Sequence, residues 1–319
     1  MKAAFVILHY LTASDTTACI ESILAILADH EAAIVVVDNH SANGSLETLQ
    51  IRFDSHDRIH FVPLPENLGF AKGNNAGYQY AKQQLGASWI ILINNDTLMV
   101  QPDFLKKIES EYQKTAFDVL GPDILTPDGR HQNPKALHGY SSAALARKIK
   151  STQRTLLLNR IWLYEALVIW DQFRQNRHSP TGKRPVPPSS NQQEMWQKRQ
   201  ENVVLHGSCL ILSPDYTAKF KGLYDGTFLY CEEEILWYIA QAESLKLVYN
   251  PDLKIQHLED RSTTIQHQNK RRKRLFKLKH ELESLEHLQH MMEDSDLYHA
   301  NMIETSELNN TVENEHVPH

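Results

Sequence analysis

Three short, unbroken apolar runs constrain this chain most. Phe5-Val6-Ile7-Leu8, Ile34-Val35-Val36-Val37 and Trp89-Ile90-Ile91-Leu92-Ile93 lack the polar alternation of a half-exposed strand. Runs of that length fit strands covered on both faces, which is the habit of parallel sheets. Between the first two, Asp15, Thr16 and Thr17 can cap a helix whose Ile20, Ile23, Leu24 and Leu27 share one face. Phe5 to Val37 therefore reads as one βαβ unit. Ile59 to Val62 is a short third strand, Gly73 to Leu85 a helix, Pro102 to Tyr112 another, and Val119 to Leu125 a fifth strand. Right-handed crossovers make this an α/β chain with a mostly parallel central sheet and helices on both faces.

The pattern then changes twice. Residues 1–135 form the alternating half. From 136 to 200 the β-pattern disappears: residues 155–173 read as a helix with a broad apolar face, and His178 to Asn191 holds four prolines and reads as a loop. Residues 201–265 resume strands at Val203-Val204-Leu205, Cys209 to Leu212 and Leu245 to Val248. Residues 266–319 begin with the basic block Lys270-Arg271-Arg272-Lys273-Arg274 and end in a polar, acidic tail.

Composition narrows the class. With 319 residues, 41% hydrophobic and 23% charged, the chain can bury a sizeable core. A net charge of -6 argues against a nucleic-acid binder. Cys19, Cys209 and Cys231 have neither metal spacing nor a disulfide framework, which fits a reducing compartment. The first apolar run breaks at His9, too early for a signal peptide, and no run of 18 apolar residues occurs, so an integral membrane protein is not expected.

Ligands of open α/β sheets bind beyond the carboxyl ends of the strands. Polar clusters sit at three such ends: His9-Tyr10, Asp38-Asn39-His40-Ser41 and Asn94-Asn95-Asp96. Each alone reads first as loop and cap chemistry; three on one rim point to a site. The stretch from Asn67 to Gly77 spaces its glycines four apart, unlike a dinucleotide fingerprint or a phosphate loop. Its glycines suit close helix packing, close ligand approach, or both. A lone Asp96 at a strand end can cap a turn or hold a divalent cation on a diphosphate. Glu232-Glu233-Glu234 follow an aromatic stretch. They read either as an acidic helix start or as a crowded carboxylate cluster with at least one raised pKa, as a general base needs.

Taken in order, these residues resemble glycosyltransferase family 2, in the branch holding bacterial rhamnosyltransferase-like enzymes of polysaccharide assembly. The resemblance rests on Asp38-Asn39-x-Ser41, Asn67-x-Gly69-Phe70-Ala71-x-Gly73-Asn74-Asn75-x-Gly77, Asn94-Asn95-Asp96, His206-Gly207-Ser208-Cys209, Phe228-Leu229-Tyr230-x-Glu232-Glu233 and His257. It covers residues 3–130 and 203–265. It implies a GT-A fold and inverting transfer of rhamnose or another hexose from a UDP- or dTDP-sugar to a glycan or lipid-linked acceptor. By the same resemblance Asp38 hydrogen-bonds the pyrimidine, while His9, Asn39 and Ser41 line the nucleoside pocket. Asn67, Gly69, Lys72 and Asn75 hold the ribose and pyrophosphate, with Asn95 and Asp96 beside them. Asp96 and His257 meet a divalent cation (Mn²⁺ or Mg²⁺), and Glu233, or else Glu232, is the catalytic base.

The sequence departs from that pattern. Asn94 replaces the first aspartate of the metal motif, which weakens a cation site and keeps alive a metal-independent or non-catalytic sugar-nucleotide-binding subunit. A nucleotidyltransferase ranks lower, because the loop after the first strand, His9 to Ser14, has no glycine. The apolar helix of 155–173 reads as an acceptor-side core helix, a membrane-facing helix or a homodimer face. The basic block reads as a solvated helix or as an attraction to an anionic membrane surface. The expected location is cytoplasmic, with peripheral binding at the inner face of the plasma membrane as the membrane option.

Overall fold

The computed structural model describes residues 1–27, 30–161, 163–164, 195–258, 270–294 and 296–303. The first half alternates as the apolar runs require: β1 (Ala3–His9), α1 (Ala13–Leu27), β2 (Ala32–Asp38), α2 (Ser45–Phe53), β3 (Ile59–Pro63), α3 (Phe70–Gln83), β4 (Trp89–Asn94), β5 (Thr97–Met99), α4 (Phe104–Thr115) and β6 (Val119–Leu125). Next come α5 (Ser142–Arg160), β7 (Gln200–Glu201), β8 (Cys209–Leu212), α6 (Pro214–Lys219), α7 (Glu232–Ala242), β9 (Leu247–His257), α8 (Lys270–Glu293) and α9 (Asp296–Met302).

The strand order is β3-β2-β1-β4-β8-β6-β9-β5, with β7 on β9. The first four strands are parallel, in registers such as Phe5 opposite Ile34 and Ile91. β8 breaks that pattern. It enters antiparallel between β4 and β6, so the strand the sequence places fifth lies two places from β4. Successive side chains of a strand point to opposite faces. Val6, Val35 and Leu92 therefore join one core with α3, α5, α7 and α8, while Phe5, Ile34 and Ile91 join the other with α1, α2 and α4. β7, β8 and β9 thus complete the sheet that the first half begins.

Three expectations shift. Val203 to Leu205 is buried but pairs only through a bridge from Val204 to Ala136, because it runs beside the loop after β6 and not along a strand. The strand placed near Leu245 starts at Leu247 and runs on to His257. The helix placed at 155–173 begins at Ser142, where the Ser141 Oγ caps Ala144 N–H at 3.3 Å. Its buried face is Leu145, Ile149, Thr152, Leu156 and Asn159, spaced three and four apart, while Leu157, Ile161 and Leu163 are exposed. Residues 165–173, the proline-rich loop and the tail from 304 lie outside the described residues.

The basic block forms the first turns of α8, which packs against α5. Arg271 donates to the Asn159 and Arg160 carbonyls at the end of α5, where terminal C=O groups lack partners. Arg274 donates to Asn159 Oδ1 and lies over the Tyr164 ring at 4.2 Å. Among the described residues no helix is long and apolar enough to cross a membrane.

Candidate active site

The carboxyl ends of β1, β2 and β4 open onto a cavity of about 410 Å³. Leu8 and Tyr10 come from the end of β1, Asn39 from beyond β2, and Asn67 and Gly69 from the loop before α3. Asn94, Asn95 and Asp96 come from the end of β4. Phe228, Leu229, Tyr230 and Phe276 of α8 form an apolar wall, and His257 closes the far end.

Amide side chains hold this rim in shape. Asn39 Nδ2 donates to Asn67 Oδ1 and to the Gly69 carbonyl, both at 3.0 Å, and Asn39 Oδ1 accepts from Leu68 N–H at 2.9 Å. Asn67 Oδ1 also accepts Gly69 N–H. Gly69 has φ 81° and ψ -163°, a conformation nearly reserved for glycine, and a Cβ there would lie 2.2 Å from the Phe228 carbonyl. That carbonyl accepts Phe70 N–H at 2.9 Å, so the glycine lets two distant loops meet. At Gly73 and Gly77 a Cβ would strike Leu8 and Val6, which is close helix packing.

Asp96 and His257 are brought together by register. β5 pairs antiparallel with β9, setting Thr97 opposite His257, and Leu258 N–H donates to the Asp96 carbonyl. His257 Nε2 lies 3.1 Å from Asp96 Oδ1, and Nδ1 lies 2.7 Å from Gln132 Oε1. The ring thus bridges Gln132 and Asp96 and sets an imidazole nitrogen and a carboxylate oxygen side by side at the cavity. A carboxylate oxygen and an imidazole nitrogen at one end of a cavity are donor types that suit a divalent cation, and Asp96 and His257 would be the residues to hold one. Among the described residues no group of three or more His, Cys, Asp or Glu is arranged to hold a metal by itself.

Several sequence-picked residues take other work. His9 is fully buried, with Nδ1 at 2.7 Å from Thr16 Oγ1 and Nε2 at 2.9 Å from Ser45 Oγ. Both ring nitrogens are spent inside the fold, so His9 joins β1 to α1 and α2 and does not line the cavity. Asn75 donates to the Leu223 carbonyl and accepts Leu223 N–H, which ties α3 to the loop after α6, and it is not part of the cavity lining. Asn95 lines the cavity but turns its Nδ2 to Thr12 and Thr16. Asp38 and Ser41 are buried and not part of the lining: the carboxylate accepts Ser41 N–H and Ser41 Oγ accepts Leu11 N–H. Lys72 is exposed on α3, away from the lining.

Beside this cavity lies a second of about 350 Å³, which shares Tyr230 with it. Glu232, Glu233 and Glu234 open α7 there, as both readings of the cluster require. Burial and the neighbouring Glu233 charge push Glu232 up to about 8. Burial pushes Glu233 up too, but Lys135, then His206, outweigh it and hold Glu233 below the usual carboxylate range. The raised carboxyl is thus Glu232 and not the preferred base. Burial holds the His206 imidazole low, and its ring stands 5.9 Å from that of His257, at the seam of the two cavities.

Sequence reasoning missed Lys135, Tyr230 and Phe276. Tyr230 and Cys231 are consecutive non-glycine residues at φ 70° and 68°. Strain of that kind concentrates at functional sites, and nothing in a Tyr-Cys pair signals it. Lys135 is 98 positions from the carboxylate it meets.

Comparison with known proteins agrees with this architecture. A hexosyltransferase of low-salt glycan biosynthesis, Agl10, from Haloferax volcanii is 24% identical over 216 residues, 68% of this chain and 55% of the relative. The dTDP-rhamnosyl transferase RfbF from Shigella flexneri is 26% identical over 115 residues, 36% of this chain and 37% of the relative. The chain thus spans about half the length, or less, of these curated relatives. The crystal structure of GalNAc-T7 with UDP, GalNAc and Mn²⁺ superposes with a TM-score of 0.52 at 12% identity, over 81% of this chain and 44% of that one. The mixed sheet between helices is the GT-A fold. The model of the family described as Glycosyl transferase family 2 matches residues 5–184, more than half of the sequence, and the chain belongs to that family.

Proposed function

We propose that the chain transfers a hexosyl group, with inversion, from a nucleoside diphosphate sugar to a hydroxyl of a glycan or lipid-linked acceptor. The observation that carries this is the pairing of the two cavities. One is lined by amides and by Asp96 and His257; the other holds a clamped carboxylate, Glu233; Tyr230 belongs to both. A nucleoside fits the Tyr10, Asn39 and Asn67 end, and the resemblance alone assigns buried Asp38, next to Asn39, to the pyrimidine. The diphosphate fits the Asn94, Asp96 and His257 end. The relatives' names, a hexosyltransferase and a dTDP-rhamnosyl transferase, support a hexose donor, and UDP with Mn²⁺ in GalNAc-T7 supports a pyrimidine diphosphate.

Asp96 and His257 would hold a divalent cation, which would supply charge stabilisation for the departing diphosphate. Glu233 takes the proton of the acceptor hydroxyl as that oxygen forms its bond to the anomeric carbon. The bond from that carbon to the diphosphate oxygen breaks on the opposite side, its electron pair leaving with the nucleotide. One displacement inverts the centre and needs no second nucleophile. Phe228, Leu229 and Phe276 screen the reacting end from water.

The test is a thermal-shift series with UDP, dTDP and GDP, with and without Mn²⁺, on the native chain and on Asp96→Ala. A ligand bound only by the folded state raises the transition temperature. A pyrimidine diphosphate is expected to stabilise the native chain, more so with Mn²⁺, and Asp96→Ala to lose the Mn²⁺ increment. No stabilisation by any of the three would overturn the reading; stabilisation without donor turnover would instead favour a binding subunit. Arg271 and Arg274 are spent on α5, so neutralising them would loosen the helix pair and is no test of membrane attachment.

A further inference from the structure

One lysine sets the three glutamates of α7 apart from one another. Lys135 Nζ lies 3.0 Å from Glu233 Oε2 and 2.9 Å from Glu234 Oε1. Glu233 Oε1 is taken by Gly207 N–H at 3.2 Å, where an added Cβ would crowd the same oxygen at 3.2 Å. Both oxygens of Glu233 are therefore held, from opposite sides. Glu232 Oε1 and Glu234 Oε2, by contrast, are buried with no hydrogen-bond partner among the described residues. We propose that Lys135 is the positioning residue of this site: its ammonium, with Gly207 N–H, fixes the carboxylate plane of Glu233 and selects that residue over Glu232 as the acceptor of the incoming hydroxyl's proton.

The lysine is itself built in. Lys135 N–H donates to the Val204 carbonyl, and Val204 N–H to the Ala136 carbonyl, both at 2.9 Å. Asn133 accepts His206 N–H on Oδ1 and donates to the Pro122 carbonyl. One short loop after β6 is thus stitched to the segment that presents Gly207, and the two groups that grip Glu233 move as a unit. The other charges facing Glu233 do not replace Lys135. Lys148 of α5 is paired with Glu281 of α8 at 2.7 Å. Lys277 of α8 stands over the Tyr230 ring. Glu232 and Glu234 bring no positive charge, and His206, which also holds Glu233 low, does so less than Lys135 and is itself lowered by burial. Burial would lower Lys135, yet Glu233 and Glu234 carry it above the ordinary lysine range, so it keeps its proton across the working pH.

This inference deepens the proposed base and rests on that reading, but its test reads ionisation without turnover. The δ-carbon of Glu233, in chain carrying ¹³C-glutamate, is assigned by its absence in Glu233→Gln and followed from pH 3 to pH 9 on the order of every half unit. Lys135→Gln is expected to raise its midpoint by about one to three pH units, and Lys135→Arg to restore most of that. Glu234→Gln, which leaves the ammonium to Glu233 alone, is expected to lower it and stands in if Lys135→Gln does not fold. His206→Gln is expected to move it less than Lys135→Gln. An unmoved midpoint in Lys135→Gln, or a larger movement in His206→Gln, would overturn the assignment. Retained turnover in Glu233→Gln would sink the base reading and leave the titration result standing.

Discussion

The two cavities are built by opposite means. The donor cavity is a rim of neutral amides, with Asn39 and Asn67 bonded to each other and to the backbone between them, all on segments that follow neighbouring parallel strands. The acid cavity is assembled by charge across long stretches of chain, with Lys135, Gly207 and Glu233 meeting from three elements. The amide lattice keeps its shape whatever the pH, and the titratable groups of that cavity, Asp96 and His257, stand together at one end of it. A charged, long-range cluster does the reverse: its shape and reactivity hang on which carboxyl holds a proton. In the proposed reaction the contrast divides the labour, with shape and recognition on one side and proton transfer on the other.

The sharpest way to break that division is Glu233→Gln. The amide keeps the size of the side chain and an oxygen for Gly207 N–H, but it cannot take a proton. Turnover of whichever donor the nucleotide series selects is expected to fall by about 10²–10⁴-fold. Nucleotide binding, read by thermal shift, is expected to stay. Loss of both together would mean that the two cavities are one recognition site and would erase the distinction.

The donor side is tested by its backbone. Gly69→Ala places a methyl group against the Phe228 carbonyl in a conformation that costs any other residue dearly. The expected destabilisation is about 3 kcal/mol or more in urea unfolding, with weaker nucleotide binding in the protein that remains folded. Gly129→Ala is the control: φ is 82° there but nothing lies within 4 Å, so only the backbone strain of about 1 kcal/mol is expected. Equal effects at the two positions would show that the contact with Phe228 is dispensable.

The donor side was the more legible in sequence, and the reason is physical. Buried parallel strands announce themselves as apolar runs, and the groups at their ends sit next to them in the chain, so Asn39, Asn67, Gly69, Asp96 and the rim they share could be read directly. Misreadings there came from side chains that turn inward: His9 and Asn75 have the chemistry to meet a ligand but satisfy buried donors and acceptors of the fold instead. β8 was legible as a strand but not in its place, since a short apolar run does not say which neighbours it will pair with. On the acid side the glutamates were legible and their ordering was not. Which of them is raised depends on Lys135, on a loop with no pattern of its own, and on burial that only the packed α7, α8 and Tyr230 create.

Glu232 offers the finest test of the comparison, because it separates charge from shape within the acid cavity. Its folded-state value lies above the ordinary 4.5, at about 8. A carboxyl raised by folding keeps its proton longer in the folded chain than in the unfolded one, so its contribution to stability is present at low pH and is lost as pH rises through that window. The native chain should therefore lose stability from pH 4.5 toward pH 8 by a slope that Glu232→Gln removes. At pH 4 the two chains should unfold at the same urea concentration; near pH 8 the variant should be more stable, by on the order of 2 kcal/mol. The same measurement on Asn39→Asp, which puts a charge into the neutral rim, should show stability at neutral pH falling below that of the native chain, since nothing in that lattice stands ready to pair with it. If Glu232→Gln left the pH slope unchanged, the acid cavity would be as indifferent to protons as the donor rim, and its reserve of a protonated neighbour beside an ionised base would have no basis.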